Sequence, residues 1–175
     1  MTGRTTFLCT LLISAFTATY VYADWQGTRW GQSLEELRAS GMQLEPVVGA
    51  AIEDRSLPAY GKPLLSGPYK AGDEEFTADY LFDKKKLSAV VLYMRDYEQA
   101  VRLSVQLRAQ YGRPEVDDLD IAPPTMCKTE KRIWRDSERG NLVTFRSRYC
   151  GAVTLRGTSQ YIIYRPIVSS TKSGL

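Results

Sequence analysis

The chain has 175 residues and a formal net charge of +3, and it contains no histidine. A Ser-His-Asp or Cys-His catalytic arrangement, a histidine general base and a histidine-ligated zinc, copper or iron site are therefore excluded. The small net charge gives no general reason to expect nucleic acid as a partner.

The first 23 residues have the three parts of a secretory signal peptide. Arg4 lies in a short n-region, an apolar run extends from Phe7 to Phe16, and Val21 and Ala23 stand at the −3 and −1 positions of a cleavage site. The run is shorter than the roughly 20 apolar residues that span a bilayer. We therefore expect cleavage after Ala23, a periplasmic or secreted location, and a mature chain without a transmembrane segment.

The rest of the chain suits one α+β domain over residues 24–168, followed by a small polar tail at 169–175 that we expect to be disordered. Two fused half-repeats with a seam near 115–124 are an alternative. Residues 24–127 carry 12 basic and 17 acidic groups (net −5), whereas residues 128–175 carry 10 and 3 (net +7). A basic C-terminal third can attract an anionic surface, and a solvated sheet face explains it equally well.

In chain order, the first predicted element is a short helix at about 34–40. Ser33 and Glu36 have the spacing of a capping box, and Gly41 suits the helix end. Residues 42–61 show no clear period. Strands are predicted at 62–70, 75–82 and 87–94. In the last two strands we expect these alternating residues to share one face: Phe76, Ala78, Tyr80, Phe82, Leu87, Ala89, Val91 and Tyr93.

The main helix is predicted between Asp96, as N-cap with Gln99 completing a second capping box, and Gly112. The acidic segment 115–124, which contains prolines, is predicted to be a loop. Four strand segments follow: 131–136, 142–149, 152–156 and 160–165. This order of helix, two or three strands, helix, three or four strands predicts an α+β fold in which an antiparallel sheet carries two helices on one face.

Cys127 and Cys150 are predicted to form a disulfide bond. If Glu138 and Arg139 form the loop of the hairpin between 131 and 149, the numbers of opposed residues sum to 277, and this register pairs the two cysteines. An oxidising compartment would allow them to bond.

Three patterns carry a resemblance to known proteins: Trp30-Gly31-x-Ser33-x-Glu35-Glu36-Leu37, Tyr80-x-Phe82-Asp83-x-x-x-Leu87, and Leu107-x-x-x-Tyr111-Gly112-x-Pro114. Together they resemble small exported (periplasmic) bacterial α+β proteins of uncharacterised function. More distantly, the order resembles the fold shared by the outer-membrane assembly lipoproteins and the β-lactamase inhibitor proteins, which are interaction modules. The resemblance implies one or two helix-then-sheet units. It transfers no functional residue, and the missing lipid-bearing cysteine means that no membrane tether is implied.

Two acidic clusters are the remaining candidates for chemistry: Asp73, Glu74 and Glu75, and Asp117, Asp118 and Asp120. A glycosidase needs two carboxyl groups roughly 5 to 9 Å apart across a cleft, which the sequence cannot place. The second cluster lacks the spaced ligands and glycine of a calcium loop, and no glycine-rich phosphate loop is present. We expect no catalytic residue, no metal and no cofactor.

The candidate binding surface is the basic and aromatic C-terminal third. Its members combine guanidinium groups and rigid rings, which are enriched at interface hot spots: Arg132, Trp134, Arg146, Arg148, Tyr149, Arg156, Tyr161, Tyr164 and Arg165. Alternation along strands would equally bury the rings and expose the arginines. The leading hypothesis is an exported interaction module that binds an envelope protein or an anionic envelope polymer, and not nucleic acid. The alternative is a carboxylate-dependent enzyme acting on cell-wall glycan.

Overall fold

The computed structural model describes residues 24–122, 127–150 and 159–168. The helices are α1 (Leu34–Arg38), α2 (Ala50–Asp54) and α3 (Tyr97–Tyr111). The strands are β1 (Asp24–Trp25), β2 (Thr28–Arg29), β3 (Glu45–Pro46), β4 (Lys62–Ala71), β5 (Glu74–Asp83), β6 (Lys86–Tyr93), β7 (Val116–Ala122), β8 (Cys127–Asp136), β9 (Asn141–Tyr149) and β10 (Ser159–Pro166). The predicted signal peptide, the strand at 152–156 and the tail at 169–175 lie outside the described residues.

β1 and β2 form a small ribbon, and the other eight strands form one antiparallel sheet in the order β3-β4-β5-β6-β10-β9-β8-β7. The sheet consists of two four-stranded meanders, β3–β6 and β7–β10, joined where β6 pairs with β10. A mixed α+β fold with an antiparallel sheet is therefore confirmed. None of the described helices is long and apolar enough to cross a membrane.

Local capping chemistry fixes the two predicted helices. Ser33 and Glu36 form the complete capping box of α1. At α3, the Asp96 carboxylate accepts from the Gln99 N–H, as expected for an N-cap, but the Gln99 side-chain oxygen accepts from the N–H of Arg95, one residue earlier than predicted. Both helix starts follow from hydrogen bonds that satisfy otherwise unpaired backbone N–H groups.

α1 and α3 contribute to one large core, and we call the side of the sheet that they cover the helix-covered face. Leu37 of α1 and Leu103 and Leu107 of α3 are buried in it, together with Trp134 and Phe145 of the sheet. The opposite side, the open face, has a smaller buried cluster: Leu81, Ala89, Val91 and Ile163.

A β-bulge at Ser88 makes the predicted face of β6 wrong. Leu87 lies opposite Phe82, but Ala89 lies opposite Leu81, so Ser88 is an extra residue between these pairs. Its hydroxyl donates to the Leu81 carbonyl oxygen. An extra residue reverses the alternation, so Leu87 remains in the core of the helix-covered face whereas Ala89 and the residues aligned with it point to the open face.

The predicted loop at 115–124 is also wrong over its described part. Residues 116–122 form β7, which pairs with β8 from Val116↔Ile133 to Ala122↔Cys127. Three aspartates within the segment interrupt the alternation of apolar and polar residues by which a strand is predicted. β7 is the first strand of the second meander. That the two meanders are repeats of one unit stays a prediction.

Residues 47–61, which the sequence left unassigned, pack onto the open face. Leu57 and Tyr60 cover its buried cluster. Gly61 ends this excursion with φ +109°, and a Cβ atom at this position would collide with the carbonyl oxygen of Phe82. Only glycine allows the backbone to approach β5 this closely.

The register predicted for the second hairpin is confirmed. β8 and β9 pair from Lys128↔Tyr149 to Asp136↔Asn141, so opposed numbers sum to 277, although the turn has four residues, 137–140, rather than two. Cys127 and Cys150 form the predicted disulfide at the open end, with Cα atoms 4.1 Å apart.

Replacing both Cys127 and Cys150 with Ser should lower the melting temperature under oxidising conditions. Closing a loop of this length stabilises by about 3 kcal/mol through the unfolded state, which corresponds to roughly 6–12 °C for a domain of this size. Thermal unfolding followed by circular dichroism, with and without reductant, measures the change. Identical oxidised melting curves for the variant and the wild type would contradict a stabilising role.

Candidate functional site

The nine residues of the predicted binding surface do not form one patch. Arg146, Arg148, Tyr161 and Arg165 lie on the open face. Four others lie on the helix-covered face: Arg132, Trp134, Tyr149 and Tyr164. Arg156 lies outside the described residues. Alternation along β8, β9 and β10 produces this division, because neighbouring residues in a strand point to opposite sides of the sheet.

The four residues on the helix-covered face are held in structural contacts. Trp134 is 1% exposed and its Nε1 donates to the carbonyl oxygen of Gly112. Arg132 is bonded to Asp117 and Glu130, and Tyr149 stacks on Tyr97 of α3 with ring centroids 4.6 Å apart. Arg132, Trp134 and Tyr149 therefore lie on the opposite side of the sheet from the open-face arginines, and a binding role for them stays a prediction.

Tyr164 lines a separate cleft of about 520 Å³ between the β1–β2 ribbon, α3 and the turn after β8. Its ring lies 5.6 Å from that of Trp25, and Tyr111 is its hydrogen-bonding neighbour. Burial raises the pKa of Tyr164 far above its ordinary value. Its hydroxyl is therefore neutral at every physiological pH and acts only as a hydrogen-bonding group.

The open-face residues form a continuous row across four strands. Lys131 of β8 lies opposite Arg146 of β9, which lies opposite Tyr161 of β10, which lies opposite Tyr93 of β6. The Tyr161 and Tyr93 rings meet edge to face with centroids 6.2 Å apart. Opposed residues in adjacent strands have Cβ atoms about 5 Å apart, so two cations and two rings are presented side by side.

The cations of this row form no ion pair within the described residues. There, no acidic side chain forms an ion pair with Lys131, Arg146 or Arg148. Arg148 lies near the disulfide, with its Nη2 4.0 Å from the Cys127 sulfur. Arg165 stacks over the Tyr60 ring at 5.8 Å. We call Lys131, Arg146, Tyr161 and Tyr93 the basic row and treat it as the candidate site.

A buried ion pair adjoins the row on the first meander. Arg55, at the end of α2, donates to Asp79 of β5 at 2.9 Å, and the Asp79 side chain is fully buried. Burial raises the pKa of Asp79, and the opposing effects of the Ser66 hydroxyl, Arg55 and the Tyr93 hydroxyl do not offset it. The pair links the 47–61 excursion to the sheet, and Asp79 is also hydrogen-bonded to Tyr93 of the basic row.

The two acidic clusters lie near opposite ends of α3 and are bonded to different side chains. Glu74 is bonded to Gln99 and Arg102 near the start of α3, whereas Asp117 is bonded to Arg108 near its end. Hydrogen bonds from Arg102 and Arg132 respectively lower the pKa values of Glu74 and Asp117. A glycosidase acid needs a raised pKa, so these carboxylates are poor candidates for that role.

The second cluster also does not converge on a metal. Asp117 points to the helix-covered face, whereas Asp118 and Asp120 point to the open face. In the part of the chain that the structure describes, no group of three or more His, Cys, Asp or Glu residues could hold a metal ion.

Sequence reasoning missed Lys131 and Tyr93 as members of the site. The register that sums to 277 already places Lys131 opposite Arg146, so this signal was present in the sequence. Tyr93 joins only because β6 pairs with β10, and the bulge at Ser88 sets its face. Neither feature has a local sequence signal.

Comparison of the chain with protein-family models, with curated proteins and with solved structures gave no match. The resemblance to exported bacterial proteins and to the assembly lipoprotein and inhibitor fold therefore stays a prediction.

Arg55→Gln should destabilise the protein more at pH 7 than at pH 4. The variant leaves the buried Asp79 carboxylate without its cation, which costs about 3 kcal/mol at neutral pH. Because the pKa of Asp79 is raised in the folded state, its protonated form is favoured there, and the penalty falls as the pH drops towards the unfolded value. Urea unfolding at both pH values measures this.

Asp79→Asn should cost less than Arg55→Gln at pH 7, since an amide carries no charge. Lys62→Gln is the matched control, because Lys62 and its partner Glu53 are both exposed. A loss for Arg55→Gln that is the same at both pH values would contradict the assigned electrostatics.

Proposed function

We propose that the protein is an exported interaction module of the cell envelope that uses the basic row to bind an anionic partner. The observation that carries the proposal is the row of Lys131, Arg146, Tyr161 and Tyr93 on the open face, whose two cations form no ion pair within the described residues. The guanidinium fork and the tyrosine ring are rigid groups, and arginine and tyrosine are enriched at interface hot spots. The surplus of positive charge in the C-terminal third favours an anionic ligand.

The predicted signal peptide and the disulfide support export. A disulfide persists in oxidising compartments and is rare in the cytosol. Nucleic acid is then not an available partner, which leaves acidic protein surfaces and anionic envelope polymers. The proposal is therefore a periplasmic or secreted module that binds rather than catalyses.

A carboxylate-dependent glycan enzyme is the alternative, and no contact in the described residues favours it. Glu74 and Asp117 are held ionised by arginines, and Asp79, whose pKa is raised, is fully buried against Arg55. A general acid must reach its substrate, and Asp79 does not reach the surface.

Expression of the full-length sequence with a C-terminal tag in a bacterium should give an exported product that begins at Asp24. Signal peptidase requires small residues at −3 and −1, so Ala23→Arg should block cleavage. N-terminal sequencing and cell fractionation measure both outcomes. Wild-type protein recovered from the cytoplasm with Met1 still present would overturn the proposal of export.

Reversing the charge of the basic row should abolish partner capture. In a crosslinking pull-down from the native envelope with the purified exported protein, the Lys131→Glu/Arg146→Glu variant should recover at least about ten-fold less partner than wild type. High salt should have the same effect on wild type, because it screens exposed charges.

Arg38→Glu/Arg113→Glu makes the same charge change at two exposed positions away from the row and should capture normally. Equal capture by the row variant and the wild type would exclude the row as the site. Turnover of peptidoglycan by the wild type that one carboxylate substitution removes would establish the enzyme instead.

A further inference from the structure

The two edges of the eight-stranded sheet are built differently. β3 at one edge has two residues and ends in Pro46, which has no N–H to offer. β7 at the other edge has seven residues, and among the described residues only β8 pairs with it. A long edge strand presents a row of backbone donors and acceptors to which another strand can add. β7 is therefore an edge at which the sheet can be extended.

The side chains of β7 divide sharply by face. Asp118 and Asp120 point to the open face, where neither forms an ion pair or hydrogen bond within the described residues. On the helix-covered face, Asp117 is bonded to Arg108 and Arg132, but Leu119 and Ile121 are 60% and 53% exposed. One side of the edge is thus acidic and the other is apolar.

α3 continues the apolar side. Ser104 and Arg108 contact Arg132 and Asp117, so this flank of the helix adjoins β7 and β8. Val101 and Val105 lie on the same flank by helical spacing and are 47% and 65% exposed. Large exposed apolar side chains gathered at one edge are typical of an interaction site.

We propose that β7 is a docking edge for an extended segment of a partner protein whose side chains alternate between basic and apolar. An added strand continues the pleat of the sheet, so its alternate residues meet Asp118 and Asp120 on one face and Leu119 and Ile121 on the other. Backbone hydrogen bonds supply affinity, and the alternation supplies specificity.

Charge repulsion disfavours a second copy of this chain as the strand that docks on β7. If two β7 strands paired antiparallel about Leu119, Asp118 of each would face Asp120 of the other. Like charges directly opposed across a strand pair are destabilising. A basic strand removes this repulsion and replaces it with attraction.

The test uses three labelled seven-residue peptides and the purified exported protein, with binding measured by fluorescence anisotropy. The first alternates lysine with valine and leucine, the second has the same composition with the lysines in one block, and the third alternates glutamate with the same apolar residues. We expect the first to bind at least ten-fold more tightly than either of the others. Equal binding of the first two peptides would overturn the proposal.

Asp118→Lys/Asp120→Lys should reverse the preference in favour of the glutamate peptide. Asp54→Lys/Asp73→Lys makes the same charge change at exposed positions elsewhere and should keep the preference of the wild type. An unchanged preference in the β7 variant would place the binding elsewhere. Sedimentation of the wild type as a dimer that Leu119→Asp dissolves would assign the edge to a second copy and overturn the partner proposed here.

Discussion

The antiparallel pairing of β6 with β10 is the contact on which the rest of the structure depends. It joins two meanders that are otherwise local in sequence, through partners such as Leu92↔Ile162 and Val91↔Ile163. These four side chains are at most 2% exposed, and they divide between the cores of the two faces. Because these central residues are buried on both sides of the sheet, a charged side chain on a neighbouring strand must either be paired, as Asp79 is with Arg55, or stay exposed to water, as Arg146 does.

The two meanders meet this requirement differently on the open face. In the first, the 47–61 excursion covers the sheet, and its one buried carboxylate, Asp79, is matched by Arg55. In the second meander, the open face carries the exposed side chains of Arg146 and Arg148 of β9, which need no cover. Desolvating these cations would cost several kcal/mol each unless a partner supplied anions. The open face of the second meander is therefore stable when exposed to water. Only a partner that supplies anions can cover it without that desolvation cost.

The sequence was informative where the determining interactions are local. Capping residues located α1 and α3, and the Cys127–Cys150 register followed from the turn between β8 and β9. Prediction from the sequence failed in β6, where the extra residue Ser88 reverses the alternation of side chains. It also failed in β7, where three aspartates interrupt the apolar pattern that is typical of a strand.

Membership of the candidate site shows the same limit. A composition of arginine and aromatic residues selected nine positions, but composition carries no information about the face on which each lies. Once the strand bounds are known, alternation alone separates Trp134 and Tyr149 from Arg146. The contribution of Tyr93 needs the pairing of β6 with β10, which is a contact between residues far apart in the chain.

The charges along the basic row also restrict the chemistry of the partner proposed for it. The row ends at the β7 edge with Asp118, directly opposite Lys131, and Asp120 lies on the same face. A polymer of uniform negative charge lying across Arg146 towards this edge would meet two carboxylates, and the repulsion would offset part of its attraction to the cations. A folded protein can place acidic groups over Lys131 and Arg146 and basic groups over the edge. The distribution of charge therefore favours a protein over a simple polyanion as the ligand proposed for the open face.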